Sequence, residues 1–184
     1  MKSERKFGVR FWGVRGAIPT PHPGNLGYGG NTTCLEIETP EGHVVIDGGS
    51  GLRILGGALA KEHAGKPLSL NILMTHFHWD HIQGIPFFIP LYSPANEVTF
   101  WSDRPVDLLK GTLEGQMRHP YFPVPFGHVP GRCNFERMDQ QHKFGDLTVR
   151  PFALHHPQDA SGYRFEFDGK VIVHACDHEE GNDR

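Results

Sequence analysis

The chain has 184 residues, a formal net charge of −3 and a sequence pI near 6.5. This balance gives no basic footprint for long RNA or DNA, which argues against such a partner while still admitting a small nucleotide. Hydrophobic residues make up 38%, enough for a single globular domain over residues 1–184, and no apolar run approaches the roughly 20 residues that span a bilayer.

The start of the chain and its cysteines both favour a reducing compartment. No apolar segment follows the charged residues 1–6, so a secretory signal is not predicted and a cytoplasmic location is expected. Cys34, Cys133 and Cys176 are odd in number and far apart, which argues against a disulfide framework. We expect the three cysteines to be buried and to have no functional role. The sequence leaves the oligomeric state open, and a homo-oligomer is one of the alternatives.

Apolar patterning predicts a layered domain of mixed α and β structure, of the α/β or α+β class. Strands are predicted over residues 6–12, 33–39, 43–47, 70–75, 98–101, 147–154, 163–167 and 170–175. Helices are predicted over residues 52–64, 85–91 and 106–117. Glycine and proline make residues 13–31 a loop, and prolines with aromatics make residues 119–131 irregular. Asp168-Gly169 predicts a tight turn between the last two strands.

Ligand-type residues are concentrated in the run His76-Phe77-His78-Trp79-Asp80-His81, directly after a predicted buried strand. His76 and His78 are two apart in extended chain, so their side chains leave the same face. Asp80 and His81 fall where the chain turns, and they could face a second ion. Imidazole and carboxylate suit zinc, and two metals about 3.5–4 Å apart could bridge a hydroxide for hydrolysis. The alternative is a polar surface loop that happens to be rich in histidine.

Two later strands also end in ligand-type residues. His155 and His156 follow the strand predicted over 147–154, and Asp177 follows the one predicted over 170–175. Together with the histidine run, three strands would therefore deliver metal ligands at their C-terminal ends. The choice between His155 and His156 is open on the residues alone.

These segments resemble the motifs of the metallo-β-lactamase-fold hydrolases. Thr75–Gly84 resembles the His-x-His-x-Asp-His signature, and Asp47-Gly48-Gly49-Ser50-Gly51 resembles the turn before the first helix of that superfamily. His156-Pro157 with Gly162-Tyr163-Arg164 resembles its third motif, and Ala175-Cys176-Asp177 its fourth. The resemblance implies an αββα sandwich and covers nearly the whole chain in the family's order.

The resemblance also implies a ligand set for two ions, zinc being favoured because diiron relatives tend to carry Glu where this chain has His78; manganese or iron remain possible. The implied roles are these: His76, His78 and His156 on the first metal, Asp80 and His81 on the second, Asp177 bridging both, and Asp47 supporting the ligand loop. The family carries one more histidine in a further C-terminal region. No residue here matches it, so we expect the chain to lack the C-terminal portion of the fold.

The loop Gly13–Pro21 and the segment Ile82–Phe88 resemble the phosphodiesterase branch, which includes cyclic-nucleotide and cyclic-phosphate phosphodiesterases and tRNA 3′-processing nucleases. We therefore predict a dizinc phosphodiesterase for a small nucleotide or cyclic phosphodiester, with Asp80 orienting the nucleophile or receiving its proton. Candidate substrate contacts are Arg15, Tyr121, Phe122 and His128, although a packed irregular connection is the favoured interpretation of residues 119–131.

Two functions besides the phosphodiesterase stay open. A thioesterase, lactonase or β-lactamase of the same fold would use the same ligands. A non-catalytic metal-binding or regulatory module would fit an incomplete second metal site.

Overall fold

The computed structural model describes residues 6–40 and 42–180. The described residues form ten strands and three α-helices. The strands are β1 (Gly8–Gly13), β2 (Cys34–Thr39), β3 (Gly42–Ile46), β4 (Ser69–Leu73), β5 (Glu97–Ser102), β6 (Arg132–Arg137), β7 (His142–Phe144), β8 (Leu147–Leu154), β9 (Ala160–Phe167) and β10 (Lys170–His174). The α-helices are α1 (Gly51–His63), α2 (Trp79–Ile82) and α3 (Val106–Gln116).

The first sheet has six strands in the order β1-β2-β3-β4-β5-β6. The first three strands are antiparallel neighbours, whereas β3 to β6 run parallel. Parallel strands need crossover connections, and α1 supplies the one between β3 and β4. The carboxyl ends of β3, β4 and β5 therefore lie side by side along one edge.

Apolar residues cover both faces of this sheet, as expected for its parallel part. On one face Val45 packs with Leu52, Leu55 and Leu59 of α1. On the other face Val44 and Ile46 belong to a second core, which the four-stranded sheet β10-β9-β8-β7 closes. The order of layers is thus helices, six-stranded sheet, four-stranded sheet.

The second sheet is antiparallel throughout and is fastened to the end of β4. Tyr163 is fully buried and its hydroxyl donates to the Met74 carbonyl at 2.7 Å, while the Ser161 amide donates to the Thr75 carbonyl at 2.9 Å. The predicted turn between β9 and β10 is confirmed: Asp168 and Gly169 have φ of 49° and 74°, the positive values that this hairpin turn requires.

Most predicted elements are confirmed within one or two residues of their ends, but β9 begins three residues before its predicted start, the short helix α2 is not predicted, and three further details of the sequence interpretation are wrong. Strand β6 is not predicted, because its sequence Arg-Cys-Asn-Phe-Glu-Arg is polar and it lies at the sheet edge. The three-residue strand β7 is too short for a periodic signal. Residues 85–91 form two 3-10 helices, Ile85–Phe87 and Ile89–Tyr92, since Pro86 and Pro90 interrupt a continuous helix.

The irregular segment 119–131 contains one short 3-10 helix, Phe126–His128, and otherwise follows the prediction. Within the described ranges, no helix is long and apolar enough to cross a membrane.

Candidate metal centre

The ends of strands from both sheets meet at one place. Asp47 follows β3 and His76 follows β4, and these two strands are parallel neighbours. Strands β8 and β10 are both antiparallel to β9, so they also run in one direction, and His156 and Asp177 follow their ends. Topology therefore gathers residues that are about a hundred positions apart in the chain, as the sequence predicts for strand ends.

Three histidines form the first group of donors. One ring nitrogen from each of His76, His78 and His156 lies within 4.8 Å of the other two. Nε2 of His156 is 3.1 Å from Nδ1 of His78. Two imidazole nitrogens on a tetrahedral zinc ion at 2.0–2.1 Å would be about 3.4 Å apart, close to this spacing. Of the two adjacent histidines that the sequence leaves open, His156 faces the group and His155 is exposed.

His76, His81 and Asp177 form a second group that shares His76 with the first. Oδ2 of Asp177 lies 3.0 Å from Nε2 of His81, 3.6 Å from Nε2 of His76 and 3.9 Å from Nε2 of His156. The carboxylate thus faces both groups, which is the position required of a bridging ligand.

Asp47 supports the second group through hydrogen bonds to His81 and to Thr75. It is fully buried, and it accepts hydrogen bonds from the Thr75 amide at 2.8 Å and from Nδ1 of His81 at 2.8 Å. The Thr75 hydroxyl also lies 2.9 Å from Asp47 Oδ2 and 3.0 Å from Nδ1 of His76. Because a carboxylate only accepts, Nδ1 of His81 carries a proton and Nε2 faces the cluster.

The pKa values of the two buried histidines diverge. Burial and the charge of His81 lower the pKa of His76 to about 4, so its ring is neutral and offers a lone pair. Burial also acts to lower the pKa of His81, but the charge of Asp47 and the hydrogen bonds to Asp177 and Asp47 raise it to about 10. Here Nε2–H of His81 donates to Asp177, and a divalent cation between the two would replace that proton.

The turn Asp47-Gly48-Gly49 is in close backbone contact with Asp80 and His81. The Gly48 amide donates to the His81 carbonyl at 2.7 Å. A Cβ on Gly49 would lie 2.4 Å from the Asp80 carbonyl oxygen, which no side chain can accommodate. The glycines are therefore needed for close approach, and Asp47 itself takes φ of +61°, which Asp tolerates better than most residues.

Two supporting side chains are missed by reasoning from the sequence. Oε1 of Glu179 lies 2.9 Å from Nδ1 of His156, and Oε1 of Gln158 lies 3.1 Å from Nε2 of His78. A carboxylate behind a ligand histidine fixes its ring orientation and raises its basicity. A signal exists for Glu179, since Asp177-His178-Glu179 is a second run of ligand-type residues.

Asp80 lies at the margin of the cluster. Its Oδ2 is 3.7 Å from Nε2 of His81 and accepts a hydrogen bond from the Ala17 amide at 2.8 Å. Ala17 has φ of 67° and belongs to the glycine-rich loop after β1. That loop therefore reaches the candidate centre and fixes the orientation of the Asp80 carboxylate.

The side chains present fit a zinc-type ion. Nε2 of His76 is buried and has no hydrogen-bond partner among the described residues, although an unpaired buried polar atom is costly. A cation at the shared position between the two groups would satisfy it. Nitrogen donors with carboxylate oxygen are the set that zinc takes in catalytic centres. The ligand roles predicted for His76, His78, Asp80, His81, His156 and Asp177 remain predictions.

The candidate substrate residues separate into three places. Tyr121 and Phe122 line a cavity of about 550 Å³ together with Trp79 and Phe87. Of its lining residues, Trp79 lies between His78 and Asp80 in the chain. Arg15 lines a different cavity, formed by the loop after β1, with Phe11 and Tyr28. His128 is exposed and lines neither cavity.

A family model described as a beta-lactamase superfamily domain matches residues 43–184, a span that includes every donor of both groups. The chain belongs to the beta-lactamase superfamily. The resemblance seen in the motifs is therefore confirmed. Members of such a family share a fold and a site position, whereas their reactions differ.

Three known proteins are similar to this beta-lactamase superfamily chain. It is 29% identical over 154 residues to Exodeoxyribonuclease WalJ of Streptococcus pneumoniae, covering 80% of this chain and 51% of the relative. It is 27% identical over 173 residues to Ribonuclease Z of Pyrococcus abyssi, covering 86% and 47%. The metallo-beta-lactamase fold protein YhfI from Bacillus subtilis matches with a TM-score of 0.62 at 16% identity, covering 90% and 60%.

The structural match confirms the predicted fold class. The chain spans about half the length of the curated relatives it matches.

Proposed function

We propose that the chain carries the metal centre of a zinc-dependent phosphodiesterase. The observation that carries the proposal is the convergence of two donor groups on His76, with Asp177 facing both. A pair of zinc-type ions held there would supply Lewis acidity and lower the pKa of bound water to near neutrality. The proposed phosphodiester specificity is supported by the nucleases among the relatives and by the motif resemblance.

Residues of the chain itself would orient the histidine rings and the nucleophile. Asp47 and Glu179 keep the rings of His81 and His156 turned with their Nε2 atoms toward the cluster. Asp80, fixed by the Ala17 amide, presents a carboxylate at the margin that could orient a nucleophile or take up its proton. These roles agree with the sequence prediction for Asp80 and Asp47.

The cavity beside Trp79 suits the apolar part of a small phosphodiester. Tyr121 is 70% exposed on its rim, whereas Phe122 packs edge-on against Phe87 with ring centroids 5.5 Å apart. Tyr121 is thus the ring available for stacking on a nucleobase or aryl group, and Phe122 supports the wall. Tyr121→Ala should raise KM for an aryl phosphodiester roughly fivefold, from the loss of about 1 kcal/mol of stacking, with little change in kcat.

Nucleic acid is the second candidate substrate. The net charge of the chain argues against it, yet WalJ is named an exodeoxyribonuclease and Ribonuclease Z a ribonuclease. The open cavity would then take a terminal nucleotide. A carbon-centred hydrolase and a non-catalytic metal module are the competing functions that the assay must separate from both.

The deciding experiment compares substrate classes on the zinc-loaded protein. We expect turnover of bis(p-nitrophenyl) phosphate, and none of a lactone, a thioester or a β-lactam. Labelled DNA and RNA oligonucleotides in the same assay separate a small-molecule enzyme from a nuclease. Turnover of only the carbon-centred substrates would overturn the phosphodiesterase proposal. No turnover despite two zinc ions bound at the candidate metal centre would favour the non-catalytic module.

A further inference from the structure

A second histidine cluster lies at the opposite end of β3 and α1 from the candidate metal centre. His43 is at the start of β3, and Glu62 and His63 are at the end of α1. One donor atom from each of the three lies within 4.8 Å of the others. The Nε2 atoms of His43 and His63 face each other at 3.4 Å, with the ring planes inclined at 65°.

Glu36 determines which nitrogen of His43 carries the proton. Glu36 is 7% exposed, and its carboxylate accepts from Trp12 Nε1 at 3.0 Å and pairs with His43 Nδ1 at 2.9 Å. Because a carboxylate only accepts, Nδ1 of His43 must be the donor in this pair, which turns Nε2 of the ring toward His63.

The spacing of the two imidazoles fits a shared cation better than a hydrogen bond. A nitrogen donor normally lies 2.7–3.2 Å from its acceptor, shorter than the 3.4 Å seen here. Two ligands on a tetrahedral zinc ion at 2.0–2.1 Å would be about 3.4 Å apart. The simpler explanation is a pair of surface histidines that share a weak, long hydrogen bond.

The surroundings do not oppose a cation. Lys6 and Arg10 are the basic side chains beside Glu36 and His43, and both form ion pairs with Glu38 on β2. Glu62 is exposed and adds a carboxylate oxygen on the open side. Two imidazoles and one glutamate are a recognised zinc donor set, which leaves a position for water.

We propose that His43, Glu62 and His63 form a peripheral binding site for a zinc-type divalent ion, with Glu36 orienting His43. The ion would join the last turn of α1 to the first residues of β3. Neither element end contributes to the candidate metal centre, so the proposal does not depend on the proposed function. Its expected consequence is added stability of the β3–α1 unit, not catalysis.

The test is the zinc content of the whole chain after dialysis against buffered zinc. His63→Gln should bind one zinc ion fewer than the wild type. Lys61→Gln, an exposed change in the same helical turn, is the matched control and should keep the wild-type value. Because both variants retain the candidate metal centre, the difference reports the peripheral site alone. Equal zinc content in His63→Gln and wild type would overturn the proposal.

A site-resolved measurement removes any dependence on how well His63→Gln folds. Zinc titration of the wild type, followed by imidazole NMR, should shift the resonances of His43 and His63 together. Glu62→Gln should weaken that response at least about tenfold, because loss of a charged ligand should cost no less than loss of an outer partner, which costs about 10–100-fold. Unchanged His43 and His63 resonances at saturating zinc would mean that the pair is only a hydrogen bond.

Discussion

A histidine cluster lies at each end of the β3–α1 unit, and in both clusters a carboxylate pairs with Nδ1 of a histidine. At one end a buried carboxylate, Asp47, pairs with Nδ1 of His81 at 2.8 Å. At the other, Glu36 pairs with Nδ1 of His43 at 2.9 Å. In both cases the carboxylate fixes the tautomer and turns Nε2 toward further donors.

The clusters differ in how many elements supply the donors. The ends of β4, β8 and β10 bring donors to the central cluster, and the turn after β3 supports it. The peripheral cluster draws on β3 and α1 alone and is open to solvent. The comparison shows that the same carboxylate–imidazole pair occurs at both ends, whereas the number of elements that supply donors and the burial of the cluster depend on the topology. We therefore expect tighter zinc binding, and any chemistry, at the central cluster.

The largest expected effect is loss of activity when a half-buried donor of the central cluster is removed. His78→Ala removes one donor of the first group without touching the buried Asp47 network. Hydrolysis of bis(p-nitrophenyl) phosphate should fall at least about 100-fold, beyond the 10–100-fold typical of outer partners. Circular dichroism and the urea midpoint should stay near wild type.

His22→Ala, which removes an exposed histidine from the loop after β1, is the control and should retain activity. Full activity of His78→Ala would contradict the assignment of this cluster as the reaction centre.

The next effect should appear in stability, at the buried carboxylate. Asp47→Asn keeps a residue that tolerates φ of +61° but removes the charge that accepts from Thr75 and His81. Breaking this buried network should lower the free energy of unfolding by about 3 kcal/mol and weaken zinc binding about 10–100-fold. Urea denaturation and zinc titration measure the two.

Asp168→Asn is the matched control, because it makes the same chemical change at an exposed turn position with positive φ. If both variants were equally stable, Asp47 would not be holding the ligand loop.

Stepwise removal of zinc should empty the two clusters in a defined order. A chelator added in small steps should first take the ion from the peripheral cluster and only later those from the central one, because the peripheral cluster is open to solvent and the central one is more buried. Zinc release should then show an early phase that His63→Gln lacks, with phosphodiesterase activity falling only in the late phase. Loss of activity in the first phase would reverse the proposed ranking.

The central cluster can be predicted from sequence and the peripheral one cannot, for a physical reason. The run from His76 to His81 concentrates its donors in six consecutive residues, and His156 and Asp177 each follow an evident strand. His43 and His63 are single histidines twenty positions apart, and only the packing of α1 on the sheet brings them together. Glu179 is missed likewise, since its partner His156 lies 23 residues away.

Fold prediction fails for the same kind of reason. Strands with apolar alternation or buried runs, such as β3 and β4, are evident from local pattern. Strand β6 has a polar sequence and exists because β5 offers it a parallel partner along its whole length. Pairing of this sort is a tertiary contribution that a single segment does not encode.

The smallest expected effect tests whether the carboxylate–imidazole pair contributes equally to stability at both ends of the β3–α1 unit. Glu36→Gln keeps the size of the side chain and one acceptor oxygen but removes the charge beside His43 and Trp12. Glu36 keeps a small exposed fraction and its partner His43 is half-buried, whereas Asp47 is fully buried. We therefore expect a loss of only about 1 kcal/mol in the free energy of unfolding, against about 3 for Asp47→Asn. Zinc affinity at the peripheral cluster should fall about tenfold, measured by the His43 and His63 resonances, while phosphodiesterase activity is retained. An equal stability loss in Glu36→Gln and Asp47→Asn would show that burial does not rank the two carboxylates.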